Sequence, residues 1–423
     1  MTAPPSTVTT PAPGGRNRPA LARCVGIEPA KFATAYWGRA PLVSRAADLD
    51  GPAGFTDLLD SDAADELLSR RGLRVPFLRV AREGTLVPES AYTGSGGAGA
   101  EIADQVLDER LLAQYADGAT LVLQGLHRIW PPIIDFAGEL GGMLGQPLQV
   151  NAYLTPAGNQ GFATHYDTHD VFVLQVAGRK HWRIHEPVLV DPLPRHTWSG
   201  RADEVACRAD GEPAVDVVLE PGDALYLPRG WLHSAAAQQE SSIHLTVGVR
   251  ALTRYSVVET LLDLAVDDRR LRATLPLGLD VADTGQLEPE LTEAVDALRD
   301  WLTTVSPAEV ADRLRQRSWA ATRPAPLRPL AQAERIAVLT VDDTLRRRDG
   351  LRWRLVPEPD GRVALRIFDR TVSFPGQCAL ALRAALETDR IRVGDLPGLD
   401  TDDDRLVLAR RLLREAVVVP DVG

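Results

Sequence analysis

The stretch NAYLTPAGNQGFATHYDTHDVFVLQVAGRKHWRIHEP, residues 151–187, decides the fold. It breaks into short runs rich in β-branched and aromatic residues, separated by Pro, Gly and Asp turns, which is how closely connected strands read. The same texture extends outward over residues 148 to about 251, through PLQVNAYLT, THYDTHDVFVLQVA, KHWRIHE, AVDVVLE, DALYLP and SIHLTVGVRAL. Six or more strands at this spacing predict a β-barrel or double-sheet jelly roll.

The same stretch carries chemistry. His165 and Asp167 lie two apart, so on a strand they point to one face and reach one cation. Alone the pair is weak, since a chain with eight histidines holds one by chance about half the time. Specificity comes from PGDALYLPRGWLHSA, residues 221–235. There Asp223 reads as a turn residue, LYLP as a short strand, and Pro228 and Gly230 bend the chain before His233. Two histidines and a carboxylate on one side of an ion form the facial triad of non-haem Fe(II) oxygenases. It leaves positions for a chelating 2-oxo acid and O2, whereas a structural zinc site closes with a fourth ligand. Neither motif has a cysteine beside it; Cys24, Cys207 and Cys378 are scattered.

Lys180 and Lys31 are the only lysines among 47 basic residues. Lys180 falls on a strand of the same barrel, where a buried cation would meet the distal carboxylate of a 2-oxo diacid; otherwise it is a solvated residue after a Gly turn. Of the other histidines, His244 lies two before Thr246 on one strand face and reads as a pocket residue. His169 reads as loop or strand surface, and His181 and His185 as structural. His127 and His196 carry no pattern.

Residues 151–187 and 221–235 resemble the JmjC-type ribosomal oxygenases of the cupin superfamily, with a looser likeness over about 25–420. The resemblance implies an α+β chain: a double-stranded β-helix preceded by helices, then a helical dimerisation region and a winged-helix-like domain. It implies Fe(II) at His165, Asp167 and His233. It also implies 2-oxoglutarate held by Lys180 and Thr246, with Asn151 beside it and Tyr153 lining the pocket.

The chain organisation fits that order, with expected parts at 1–22 (disordered tail), 23–255 (catalytic), 256–320 (helical) and 321–423 (winged-helix-like). AKFATAYWGRAPLV predicts a helix broken at Pro41, the region near 103–116 another, and WPPIIDFAGELGGMLG a third started by its prolines. Leu291, Val295, Leu298, Leu302 and Val305 form one apolar stripe, a surface for packing or for a homodimer. Ser306, Pro307 and Glu309 predict a capping-box helix start, and Pro359, Asp360 and Gly361 the turn of a hairpin.

The glycine-rich TGSGGAGA, residues 93–100, lacks the Gly-Lys-Ser/Thr ending of a phosphate loop. No apolar run is long enough for a membrane span, and the first twenty residues lack the apolar core of a secretory signal; a cytoplasmic location is expected. Net charge is −11 overall, −13 over residues 1–320 and +2 over 321–423. That balance argues against direct nucleic-acid readout and suits a basic partner. The leading expectation, implied by the resemblance, is hydroxylation of a His or Arg side chain in a ribosomal or other basic protein. The alternatives are the same chemistry on a small molecule or peptide, lysine demethylation, an isomerase or dioxygenase independent of 2-oxoglutarate, and a non-catalytic cupin that only binds.

Overall fold

The computed structural model describes residues 20–51 and 53–421. The first nineteen residues of the expected tail lie outside this range, while Ala20–Arg23 forms a 3-10 helix with Ala20 and Leu21 buried. The chain divides into two compact units, the first ending at Ala251 and the second beginning at Leu252.

The first unit holds thirteen described strands: β1 (Leu42–Ser44), β2 (Leu78–Arg82), β3 (Thr85–Leu86), β4 (Thr93–Gly94), β5 (Gln105–Val106), β6 (Thr120–Leu123), β7 (Leu148–Thr155), β8 (Asp170–Ala177), β9 (Lys180–His185), β10 (Val215–Leu219), β11 (Ala224–Leu227), β12 (Leu232–Ala237) and β13 (Ser242–Val249). Eight form an antiparallel sheet in the order β1-β11-β8-β13-β7-β6-β2-β3, and β10-β9-β12 form a second; β4 and β5 pair alone. This is the double-sheet jelly-roll architecture that the strand spacing anticipates.

Side-chain alternation sorts the larger sheet into two faces. Val150, Ala152, Leu154, Phe172, Leu174, Val176, Leu245 and Val247 point away from the smaller sheet, into a core shared with Phe32, Ile133, Phe136 and Leu140. Val171 and Val173 point the other way and pack with Trp182, Ile184, Leu219, Leu225 and Leu227. β8 is covered on both faces, which is why DVFVLQVA is almost continuously apolar.

The helix Pro131–Leu144 starts on its prolines and ends at left-handed Gly145, as expected. Two boundaries differ. The first helix spans only Pro29–Ala35, and Leu42–Ser44 is the edge strand β1, because Leu42–Ser44 gains ladder partners on β11. The helix expected near 103–116 begins at Asp108, since Gln105–Val106 is β5.

The second unit opens with the helices Arg254–Ala265, Thr284–Thr304 and Pro307–Ala320, the last with its capping box formed by Ser306 and Glu309. On Thr284–Thr304, Leu291, Val295 and Leu302 are 58%, 44% and 42% exposed. Beyond Pro329–Val338 lie β14 (Thr344–Arg347), β15 (Trp353–Pro357), β16 (Val363–Ile367), β17 (Arg370–Phe374), β18 (Arg390–Arg392) and β19 (Val418–Pro420), with helices Ala379–Glu387 and Asp402–Arg414. β15 and β16 make the expected hairpin, with left-handed Gly361 in its turn. The sheets β18-β14-β19 and β15-β16-β17 share a core that includes Leu365, Leu382, Leu386 and Leu412. Among the described residues no helix is long and apolar enough to cross a membrane.

Candidate metal centre and its cavity

His165 lies in the loop before β8, and His233 is the second residue of β12. The two face each other through an antiparallel bridge: His165 N–H donates to His233 O at 3.2 Å, and His233 N–H to His165 O at 2.8 Å. The contact continues through Gly230 N–H, which donates to Asp167 O at 2.9 Å. Gly230 is left-handed, and a Cβ there would meet Leu189 O at 2.6 Å, so the turn before His233 requires glycine.

This backbone brings one ligand atom each from His165, Asp167 and His233 within 4.8 Å of one another. The imidazole rings are 4.5 Å apart, and His233 Nε2 lies 3.8 Å from Asp167 Oδ2. In both histidines Nδ1 faces a backbone carbonyl two residues back, Ala163 O at 2.7 Å and Trp231 O at 3.1 Å. With the proton on Nδ1, Nε2 is left as a lone-pair donor, the arrangement that fixes metal-binding imidazoles.

The electrostatics fit a divalent cation. Burial pushes His233 down to about 4, with His165 adding to the shift, so it is neutral at pH 7. Burial works to raise Asp167, but His169, His233 and His165 outweigh it and hold the carboxyl below its ordinary range. A neutral His233 imidazole and an ionised Asp167 carboxylate are the protonation states a metal takes without displacing protons.

The triad borders a cavity lined also by Tyr153, Phe162, Val171, Val173, Lys180 and Trp182, with Thr246 and His244 beside them. Lys180, the first residue of β9, is only 3% exposed. Its Nζ donates to Thr155 Oγ1 at 3.0 Å, and Thr155 Oγ1 lies 3.2 Å from Thr120 Oγ1. Burial with no carboxylate to offset it pushes the ammonium down to about 7. A buried cation without its own acid fits the distal carboxylate of a 2-oxo diacid.

Tyr153 on β7 and His244 on β13 are cross-strand partners. Their rings stack at 4.9 Å and 7°, with Trp182 edge-on to His244 at 5.5 Å. Tyr153 also hydrogen-bonds Thr246; burial first, then Asp167, raises its phenol. Burial, helped by Lys180, keeps His244 well below the usual histidine range and therefore neutral.

One expected pocket residue is placed elsewhere. Asn151 shares the strand face of Tyr153 but does not border the cavity; its Oδ1 accepts from Gly125 N–H at 3.1 Å, pinning the turn before Leu126. Asp223 is a turn residue as read, accepting from Glu220 N–H and Ala46 N–H. His181 points outward to Asp216. His169 reaches Gln149 at 3.1 Å. Thr155, Trp182, Phe162 and Ser234 belong to the site region and were not anticipated. Alternation carried two residues on from Tyr153 and Lys180 would have found the first two; Phe162 arrives from a loop, where no period applies.

Residues 141–257 match the family model described as the JmjC domain. Ribosomal oxygenase 1 of Gallus gallus is 32% identical over 279 residues, covering 64% of this chain and 43% of that protein. The bifunctional lysine-specific demethylase and histidyl-hydroxylase NO66 of Drosophila persimilis is 43% identical over 137 residues, covering 31% of this chain and 19% of that protein. The chain therefore spans less than half the length of these curated relatives. Among solved structures, the Escherichia coli ribosomal oxygenase YcfD in complex with cobalt and succinic acid aligns with a TM-score of 0.54 at 17% identity, over 94% of this chain and 99% of that one. The same protein with cobalt and 2-oxoglutarate aligns with a TM-score of 0.51 at 17% identity, over the same shares. At that identity the likeness is one of fold.

Proposed function

We propose that this chain, which carries a JmjC domain over residues 141–257, is an Fe(II)- and 2-oxoglutarate-dependent oxygenase hydroxylating a histidine or arginine side chain of a ribosomal or other basic protein. One observation carries the reading: the three ligand atoms of His165, Asp167 and His233 converge on a cavity that also holds the buried, acid-free Lys180. Ferrous iron bound there, with 2-oxoglutarate and O2, supplies the oxidising power that turns a C–H bond into C–OH.

The residues divide the remaining work. His165 and His233 offer Nε2, with their Nδ1 protons spent on carbonyls. Asp167 supplies the negative charge. Lys180, steadied by Thr155, takes the distal carboxylate of the co-substrate, and Thr246 with Tyr153 borders the same space. Val171, Val173, Leu227 and Trp182 wall off water. The Lys180 end is buried, whereas the Asp167 side chain is 35% exposed, so the target side chain enters over the triad.

The net −13 of residues 1–320 supports a basic protein substrate, and the names histidyl-hydroxylase and ribosomal oxygenase of two relatives support a ribosomal side chain as the target. Residues 256–320 are read as a dimerisation region and 321–423 as a winged-helix-like module without direct nucleic-acid contact, in a cytoplasmic protein. The exposed stripe Leu291, Val295 and Leu302 would be covered by a second copy of the chain. Replacing Leu298 and Leu302 by charged residues should give monomers that still bind Fe(II), read by light scattering and metal titration; a wild type already monomeric at micromolar concentration removes the dimer.

The decisive experiment incubates the protein with Fe(II), 2-oxoglutarate and ribosomes or lysate, following succinate and the masses of the products. Gain of one oxygen on a histidine or arginine is expected. Loss of a methyl group instead would make it a demethylase, and 2-oxoglutarate turnover with no protein product would move the substrate to a small molecule. No 2-oxoglutarate turnover under any condition would leave a binding cupin.

A further inference from the structure

The two halves of the metal triad come from distant sequence, residues 165–167 and 233, and something must hold one against the other. We infer that Asp170 is a positioning residue for the metal centre, clamping the second arm to the first; the inference rests on the metal reading above.

Asp170 begins β8, three residues after Asp167, and is 1% exposed. It does not border the cavity. Its Oδ1 accepts from Arg229 N–H at 3.0 Å, with the Arg229 guanidinium 3.5 Å away. Its Oδ2 accepts from Tyr226 O–H at 3.0 Å. The phenol oxygen in turn accepts from Gly38 N–H at 2.8 Å, and Trp37 stacks on the ring at 5.8 Å and 15°. Arg229 occupies the Pro228-Arg229-Gly230 turn that delivers His233, and its guanidinium also meets Asp191 at 2.7 Å. The adjacent Gly230 N–H is the one bonded to Asp167 O.

One buried carboxylate on the first arm thus grips both the backbone and the side chain of the turn on the second arm. A buried charge is tolerated where donors surround it and is costly where they are removed. The turn therefore has a single favourable place relative to Asp167, which sets the spacing of His233 from Asp167 and His165. An ordinary core residue would also stabilise the barrel, but it would not couple these two arms. Partners outside the ligand set that fix metal ligands typically matter by ~10–100-fold in metal affinity.

The test is Co(II) titration of the full chain, read by affinity and by the visible absorption that reports coordination geometry. Asp170→Asn keeps the size and removes the charge; it should weaken Co(II) binding by ~10–100-fold and alter the band shape. Leu174→Ala, on the helix side of the same strand and paired with Ala224 rather than Tyr226, is the control: it should lower the melting temperature with Co(II) affinity unchanged. Tyr226→Phe removes one donor, folds with its ring intact, and should give a smaller loss of affinity. Wild-type affinity and spectrum in Asp170→Asn overturn the assignment, as does a loss no larger than that of Leu174→Ala at matched melting temperature. If Asp170→Asn does not fold, unchanged Co(II) binding in Tyr226→Phe overturns it. A wild type that binds no Co(II) removes this inference together with the metal reading, whereas normal Co(II) binding without turnover removes only the proposed activity.

Discussion

Phe172 and Val173 are neighbours in sequence, yet they belong to different undertakings. On the helix side of the large sheet, β7, β8 and β13 present Val150, Ala152, Phe172, Leu174, Leu245 and Val247, all buried and all apolar. On the cavity side the same strands present Tyr153, Thr155, Gln175, His244 and Thr246. The first face stabilises the barrel by removing apolar area from water. The cavity between the second face and β9 costs part of that stability: Lys180 on β9 is a buried ammonium without an acid, and the Nδ1 of His244 and the Nε1 of Trp182 are buried without partners. The contrast teaches where to separate stability from function, since substitutions two residues apart act together and substitutions one residue apart do not.

The largest expected effect lies on the cavity side. His165→Ala or His233→Ala should reduce Fe(II) binding and 2-oxoglutarate turnover to background, because two remaining ligands hold a divalent ion poorly. The barrel should stay folded by circular dichroism, since neither imidazole contributes to the apolar core. Full turnover in either variant would remove the triad.

Lys180→Ala comes next. Losing one buried charge-assisted contact costs about 2–5 kcal/mol, so the 2-oxoglutarate requirement should rise by roughly 30-fold to several thousand-fold with Fe(II) affinity nearly intact. Lys180→Arg should restore part of it, the planar guanidinium being wider. Without co-substrate, Lys180→Met should melt higher than wild type, because it removes an uncompensated buried charge. An unchanged co-substrate dependence in Lys180→Ala would return the residue to a structural role.

Phe172→Ala should show the reverse signature. A large aromatic lost from a close-packed core costs about 3–5 kcal/mol, while the metal stoichiometry of the folded fraction should stay at wild type. A variant that kept its stability but lost its metal would break the division between the two faces.

Much of this division is legible in the sequence, for definite reasons. Lys180 lies on β9, where period-two alternation assigns faces; His165 and Asp167 sit in the loop before β8, not on the strand their spacing suggests, and an isolated bridge to His233 brings them to the site. His233 is marked by the Pro and Gly that force the turn before it. Asn151 shows the limit of the method: alternation puts it on the correct face, but position along the strand decides the partner, and Gly125 N–H claims its carboxamide. Phe162 comes from a loop, and the edge strand β1 depends on pairing with β11, far away in sequence. Thr155 was within reach of the same alternation and is a hydroxyl with no motif to announce it.

The smallest expected effect is a pH dependence, and it tests the cavity face directly. Burial sets Lys180 at about 7 in the folded chain, against about 10.4 for an unfolded lysine. Between those values the unfolded state carries a proton that the folded state lacks, so the stability of the empty protein should rise as pH increases from about 7 towards 10. Co-substrate affinity should move the opposite way. A carboxylate entering beside Lys180 favours the ammonium, so above pH 7 binding takes up a proton and the affinity falls, by at most about tenfold per pH unit. Three neighbouring cavity groups stay out of this window: His233 is held near 4, His244 well below the usual histidine range, and the Tyr153 phenol is raised above its ordinary value. Calorimetric titration of 2-oxoglutarate at pH 8.5 in two buffers of different ionisation enthalpy should therefore report proton uptake in wild type. Lys180→Arg, charged throughout, should report none. Equal heats in both buffers for the wild-type protein would mean that Lys180 is already protonated, with an anion or water in the empty cavity offsetting its burial.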